Sequence, residues 1–178
     1  MTMLVTHLSA CAAGLVWALL ERVRNGKAGL IGLVTGLVAG LAAITPASGD
    51  VGPLGAIVIG SLSSITCYFA VSVIREKLHI DDSLDVFAVH GVGGILGTLL
   101  LAVFGQTTFG GFGFVKPVWE QLGIQAIGVG VTILWSTIAT LGIAWLVKYS
   151  LGLRVTREQE LEGIDYSQHG ETAYPMEP

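Results

Sequence analysis

Charge is what this chain has least of. Only 12% of its 178 residues are Asp, Glu, Lys or Arg, where a soluble domain carries about 25%. The few basic residues form no patch with interleaved aromatics, which argues against a nucleic-acid interface. Cysteine is limited to Cys11 and Cys67, each inside an apolar run, so both read as small buried hydrophobes and not as a disulfide or metal pair. No HExxH or Cys/His ligand spacing is present, and no GxSxG elbow. Ser9, Ser61, Ser63 and Ser64 are scattered among apolar neighbours. With no catalytic constellation and no cofactor motif, the chain does not read as an enzyme. The first apolar run lacks the basic segment of a signal peptide and continues into Trp17 and Glu21 without a cleavage motif.

What the chain has is apolar length. Hydrophobic residues make up 52%, and mean hydropathy is +0.73. Five apolar stretches are set apart by polar punctuation: 3–20, 28–45, 51–74, 86–104 and 122–147. Each comes near the roughly 17–25 residues that carry a helix across a bilayer. None alternates as a membrane β-strand does, and open backbone cannot face lipid. The expected fold is therefore an all-α polytopic membrane bundle with five transmembrane helices.

The basic residues give a topology. Arg22, Arg24 and Lys27 lie between the first two stretches, Arg75 and Lys77 between the third and fourth, and Lys148, Arg154 and Arg157 after the fifth. The alternate loops hold only Lys116. The positive-inside rule puts the basic side in the cytoplasm, with the N-terminus outside and the acidic tail inside. Two readings fit that start: a small five-span protein, or the second half of a larger one.

Twenty-five glycines exceed the average share of about 7%. Gly32, Gly36 and Gly40 recur at four-residue spacing, and Gly93 and Gly97 repeat the pattern. Small residues at this spacing make seams for close helix crossing. The stretch Thr45–Pro53 reads as a tight outer turn. The Gly/Phe-rich stretch Gly105–Lys116 reads either as the lining of an outer vestibule or as an interfacial loop with an aromatic anchor.

The most informative segment is 81–97, DDSLDVFAVHGVGGILG. Asp82 or Ser83 can cap the helix that comes next, and Asp82 with Asp85 resembles a capping box. Both acids also suit the positive end of a helix. His90 has no such structural explanation. It falls inside an apolar helix, where ionisable groups are costly and face a cavity or a partner. Val86, His90 and Gly94 recur at four-residue spacing, making one polar ring between an apolar wall and a gap. Neutral imidazole donates through one nitrogen and accepts through the other, so it suits the passage of a polar guest or a proton. His7, His79 and His169 lie at a span end, in a loop and in the tail.

In the tail, Thr156 and Gln159 form a T-x-x-Q capping box. A short helix to Glu162 should stop at Gly163. The remainder of the tail is polar and reads as a segment that docks on the cytoplasmic face or binds another protein.

Three stretches resemble the Amt/Mep/Rh family of ammonium transporters, in its bacterial Amt branch: GLVAGLAAITPASGDVGPLGAIVIG (36–60), DDSLDVFAVHGVGGILGTLL (81–100) and GLRVTREQELEGIDYSQHGETAYP (152–175). The last two match in order and spacing. The resemblance implies an inverted-repeat fold of eleven helices assembled as homotrimers, of which this chain carries helices seven to eleven. Residues 1–150 would be a partial transmembrane transporter domain, and 151–178 a cytoplasmic regulatory tail. It implies that His90 is the second of a twin-histidine pair in the substrate pore, that Val86 is a pore-wall position, that Asp82 is an acid near the inner mouth, and that Asp85 is an acid at the start of that helix. Gly152, Arg154, Gly163, Asp165, His169, Gly170 and Tyr174 would belong to the tail segment that regulates the pore and meets a PII-type signalling protein. The implied cargo is ammonium or ammonia, the location a multi-pass position in the cell (inner) membrane. The first histidine, the outer phenylalanine gate and the aromatic recruitment site belong to helices absent from this chain. It is expected to be an incomplete transporter or, alternatively, a half-transporter acting as a regulatory or assembly subunit of full-length trimers.

Overall fold

The computed structural model describes residues 1–113 and 116–172. All its regular elements are helical: α1 (Thr2–Asn25), α2 (Leu30–Ile44), α3 (Pro53–Lys77), α4 (Phe87–Phe104), α5 (Val118–Ser150) and a short α6 (Arg157–Glu162). There is no β-strand among the described residues. Four of these helices are long and apolar enough to cross a membrane, and α2 is a shorter apolar helix of 15 residues. At about 1.5 Å per residue α2 spans roughly 22 Å, below the roughly 30 Å of a hydrocarbon core. Beyond it the chain continues in hydrogen-bonded turns through 45–50 that bury Ala47 and Val51.

The punctuation marks work as local chemistry dictates. Gly26, at φ 76°, closes α1 with its N–H on the Arg22 carbonyl, a left-handed cap that favours glycine. Pro53 opens α3, where its missing N–H costs nothing. Hydroxyls inside the helices turn back on their own backbone: Thr35, Thr45, Ser61 and Thr98 each donate to the carbonyl four residues earlier. None of these four is left to face lipid unpaired, as an apolar solvent requires.

The chain divides into two compact units, 1–130 and 131–178, with the division inside α5. In the first unit, α1 packs on both α2 and α3, and α4 packs on α2 and α3. Contact is backbone on backbone. A Cβ at Gly40 would lie 2.6 Å from the Ser9 carbonyl oxygen, one at Gly60 only 2.2 Å from the same atom, and one at Gly97 1.8 Å from the Ala43 carbonyl oxygen. A Cβ at Gly36 would meet the Trp17 side chain at 2.5 Å, and one at Gly93 would meet Cys67 Sγ at 3.3 Å. Gly32 differs from its seam partners, since it leaves room for the Glu21 carboxylate, which accepts the Gly29 N–H at 2.7 Å. Buried hydroxyls tie the helices across these seams: Ser9 donates to the Gly40 carbonyl and Ser63 to that of Ala39, each at 2.9 Å. Cys67 is buried as the sequence suggests, but Cys11 is exposed, because it lies on a face of α1 turned away from α2 and α3.

In the second unit, α6 begins with a complete capping box. Thr156 Oγ1 accepts the Gln159 N–H, the Gln159 side chain accepts the Thr156 N–H, and the helix ends at Gly163, φ 102°. Arg154 pairs with Glu160 and holds that carboxyl below its usual range. Asp165–His169 forms one π turn closed by Gly170 at φ 65°. Tyr174 lies outside the described residues.

A methyl group at position 97 has nowhere to go, because the atom it meets is backbone. Gly97→Ala is expected to lower bundle stability by about 1–3 kcal/mol, read by unfolding in a graded SDS–detergent mixture. Gly142→Ala, where a Cβ meets nothing within 4 Å, should leave stability unchanged or raise it by up to about 1 kcal/mol. Equal losses at both sites would refute the close-approach account.

Candidate functional site

The site begins with how α4 starts. The Asp82 carboxylate accepts three backbone N–H groups, from Val86 at 2.8 Å, Phe87 at 2.9 Å and Ala88 at 3.2 Å. These are orphan donors of a helix N-terminus, and one carboxylate there also meets the positive end of the helix dipole. Ser83 takes no part, its hydroxyl donating to Asp81.

Asp85 corrects the capping-box expectation. With the three donors already taken by Asp82, its side chain turns to the end of α3, where Arg75 Nε lies 3.0 Å from Oδ1. Arg75 aims its own hydrogens at the carbonyls of Asp82 (3.2 Å) and Ser83 (2.6 Å). The Asp85 contact is therefore an ion pair without a hydrogen bond, and Oδ1 is buried with no hydrogen-bond partner among the described residues. Asp85 also has φ 55°, uncommon for a residue with a side chain but more readily adopted by Asp than by most. Burial pushes its carboxyl up against the downward pull of Arg75, and the Asp82 charge adds to the rise. Asp85 and Glu21 share the lining of a cavity of about 310 Å³ with Trp17, Thr35, Tyr68 and Ser72.

Both ends of this loop are π turns. Val73–Lys77 finishes α3, with the Leu78 N–H reaching back to the Val73 carbonyl at 3.0 Å. Phe87–Gly91 begins α4 and contains His90. A π turn holds one residue more than an α-helical turn and is enriched at functional sites. Across this turn Ala88 and Val89 are buried, while Val86, Phe87 and His90 are exposed. Phe87 and Val86, three and four residues before His90, lie on its exposed side. The four-residue pattern alone passed over Phe87, although its three-residue spacing from His90 places it on the same face. Gly94 continues this side, and a Cβ placed there would meet nothing within 4 Å. The surface is one imidazole among apolar groups and open space, able to donate and accept a hydrogen bond in otherwise dry surroundings.

At the opposite end of the helices, the Phe112 N–H donates to the Asp50 carbonyl at 2.9 Å, and a Cβ at Gly52 would lie 2.2 Å from the Gly110 oxygen. The two loops at that end are thus joined through backbone, with Phe104 and Phe109 rings 5.8 Å apart.

Two outcomes are expected for the loop. Asp82→Ala should cost about 1–2 kcal/mol of local stability, seen as faster hydrogen exchange at the amides of Val86, Phe87 and Ala88, with Asp82→Asn less severe. Because the folded chain keeps the Asp85 proton to higher pH than the unfolded chain, folded-state stability should fall as pH rises through the window just above the ordinary value of 3.8. Asp85→Asn should abolish that slope; a stability that instead rises with pH across the window and is unaffected by the change would contradict the assignment.

The Ammonium Transporter Family model matches residues 1–174. An ammonium transporter of Aquifex aeolicus is 44% identical over 175 residues, covering 98% of this chain and 41% of the relative. Ammonium transporter Amt1 of Archaeoglobus fulgidus is 42% identical over 173 residues, covering 96% of this chain and 43% of the relative. Among solved structures, a sensor Amt protein superposes with TM-score 0.84 at 34% identity, covering 94% of this chain and 41% of that one. Mep2 of Candida albicans superposes at 0.78 and 32%, covering 89% and 37%. The chain spans about two fifths of the length of these curated relatives. With the match running through all six helices and the His90 segment, the chain belongs to the ammonium transporter family.

Proposed function

We propose that this chain is the C-terminal part of an ammonium transporter, corresponding to helices seven to eleven of that fold, and that it supplies one wall of the path taken by ammonia. The observation that carries this reading is His90. In a family of ammonium transporters, an imidazole set into a π turn on an open, apolar face is a polar station in a dry passage. Leaving an ammonium ion unsolvated there is expensive, so the cargo in the lumen is NH₃, with the proton removed before entry. Val86 and Phe87 form apolar wall beside the imidazole. In inverted-repeat transporters the site lies between the two halves, which accounts for a face that this half leaves uncovered. Asp82 and Asp85 stand at the inner mouth, where Asp82 fixes the start of α4 and Arg75 offsets the charge of Asp85.

In this reading residues 1–150 are the membrane portion, with the N-terminus outside and the basic ends of α1 and α3 at the cytoplasmic face of the inner membrane. Residues 151–178 are a cytoplasmic tail that regulates the pore and meets a PII-type protein, through residues including Gly152, Arg154, Gly163, Asp165, His169, Gly170 and Tyr174. The complete transporter would be a homotrimer.

The test is ammonium uptake by cells that lack their own transporters. This chain should restore uptake only when co-expressed with an N-terminal half from a relative, and His90→Ala should then change uptake or its selectivity by about tenfold, a barrier change of about 1.4 kcal/mol. Uptake by this chain alone, equally sensitive to His90→Ala, would refute the half-path reading. For the tail, deletion of 152–178 should abolish capture of a PII-type protein from solution, and retained capture would move the contact to the loops.

A further inference from the structure

We propose that Cys67 is a positioning residue for His90: its buried thiol holds the Val89 carbonyl and so fixes the π turn that directs the imidazole outward. The proposal rests on reading His90 as the residue that meets the cargo. A π turn is a rare departure from the α-helix, and removing its extra residue would rotate the chain before it by about 100°. Something must hold it. At its start, Asp82 binds the N–H groups of Val86, Phe87 and Ala88. Inside it, the Val92 N–H is shared between the carbonyls of Phe87, five residues back, and Val89, three residues back, where a regular α-helix would reach four residues back.

Cys67 of α3 meets the same Val89 carbonyl. Its Sγ lies 3.8 Å from the Val89 oxygen and 3.7 Å from Ser63 Oγ, and Ser63 donates in turn to the Ala39 carbonyl of α2 at 2.9 Å. A line of buried polar atoms thus joins α2, α3 and the π turn of α4. Cys67 and Ser63 are fully buried and Val89 is 3% exposed. Gly93 makes the space, since a Cβ there would stand 3.3 Å from Sγ and 3.5 Å from Ser63 Oγ. With the Ser63 proton committed to Ala39, the single S–H, a weak donor, is shared between Ser63 Oγ and the Val89 carbonyl. A buried carbonyl that loses a partner costs free energy, so the thiol contact favours the place that Val89 takes in the turn. Holding Val89 inward holds His90, the next residue, outward.

The test reads the imidazole itself. In the full chain with His7, His79 and His169 changed to Gln, His90 is the only histidine, and its ¹⁵N ring resonances are recorded in lipid bilayers. Cys67→Ser keeps a donor and should preserve the parent's single set of lines. Cys67→Val keeps apolar volume without a donor and should shift or double the lines, as should Cys67→Ala. Parent-like lines in Cys67→Val, or shifted lines in Cys67→Ser, would overturn the proposal. The spectrum reports the turn whether or not the chain carries ammonia, so failure here and failure of the transport reading are separate results.

Discussion

The Ser9 carbonyl is where the first unit is fastened. Gly40 of α2 and Gly60 of α3 both approach that one oxygen too closely for any side chain, and the Ser9 hydroxyl reaches the Gly40 carbonyl in return. In lipid there is little hydrophobic gain in pressing one apolar helix on another, so close packing and buried polar links must do the holding. Three helices meeting at a single fully buried serine satisfy both needs. The second crossing, Gly97 on the Ala43 carbonyl, brings α4 to the same assembly, and with it the histidine.

Much of this was legible in the residues. Long apolar runs, spaced glycines and a T-x-x-Q cap have local causes, and the helices, seams and tail cap stand where those causes put them. Asp82 was legible for the same reason: a carboxylate shortly ahead of a helix finds orphan donors. Asp85 was not, because its partner Arg75 comes from another helix and competition with Asp82 decided the outcome. Phe87 was open to the same spacing argument, at three residues from His90, and a strict four-residue pattern passed over it. Cys11 shows the limit of apolar context, since membership in an apolar helix does not say which face turns to the neighbours. Gly32 read as seam, yet what it admits is a carboxylate.

An ionisable side chain exposed on an apolar helix face is costly in a membrane unless a cavity or partner receives it. In the proposed half-path reading, His90 meets that condition when a second half covers its face. The loop between α3 and α4 has a different character. Its acids are held by backbone donors and by Arg75, beside a cavity that includes Glu21 and Tyr68, so charge is retained at the helix ends and excluded from the wall around the imidazole.

The π turn at Phe87–Gly91 separates two properties that a regular helix would lock together. Gly93 and Gly97 come after the turn and keep their phase with each other whatever precedes them, so they dock α4 independently of where His90 faces. A one-residue deletion within 87–91 would re-aim the imidazole while leaving the docking seam intact. The direction of the imidazole and the docking of the helix are thus set by separate stretches of α4.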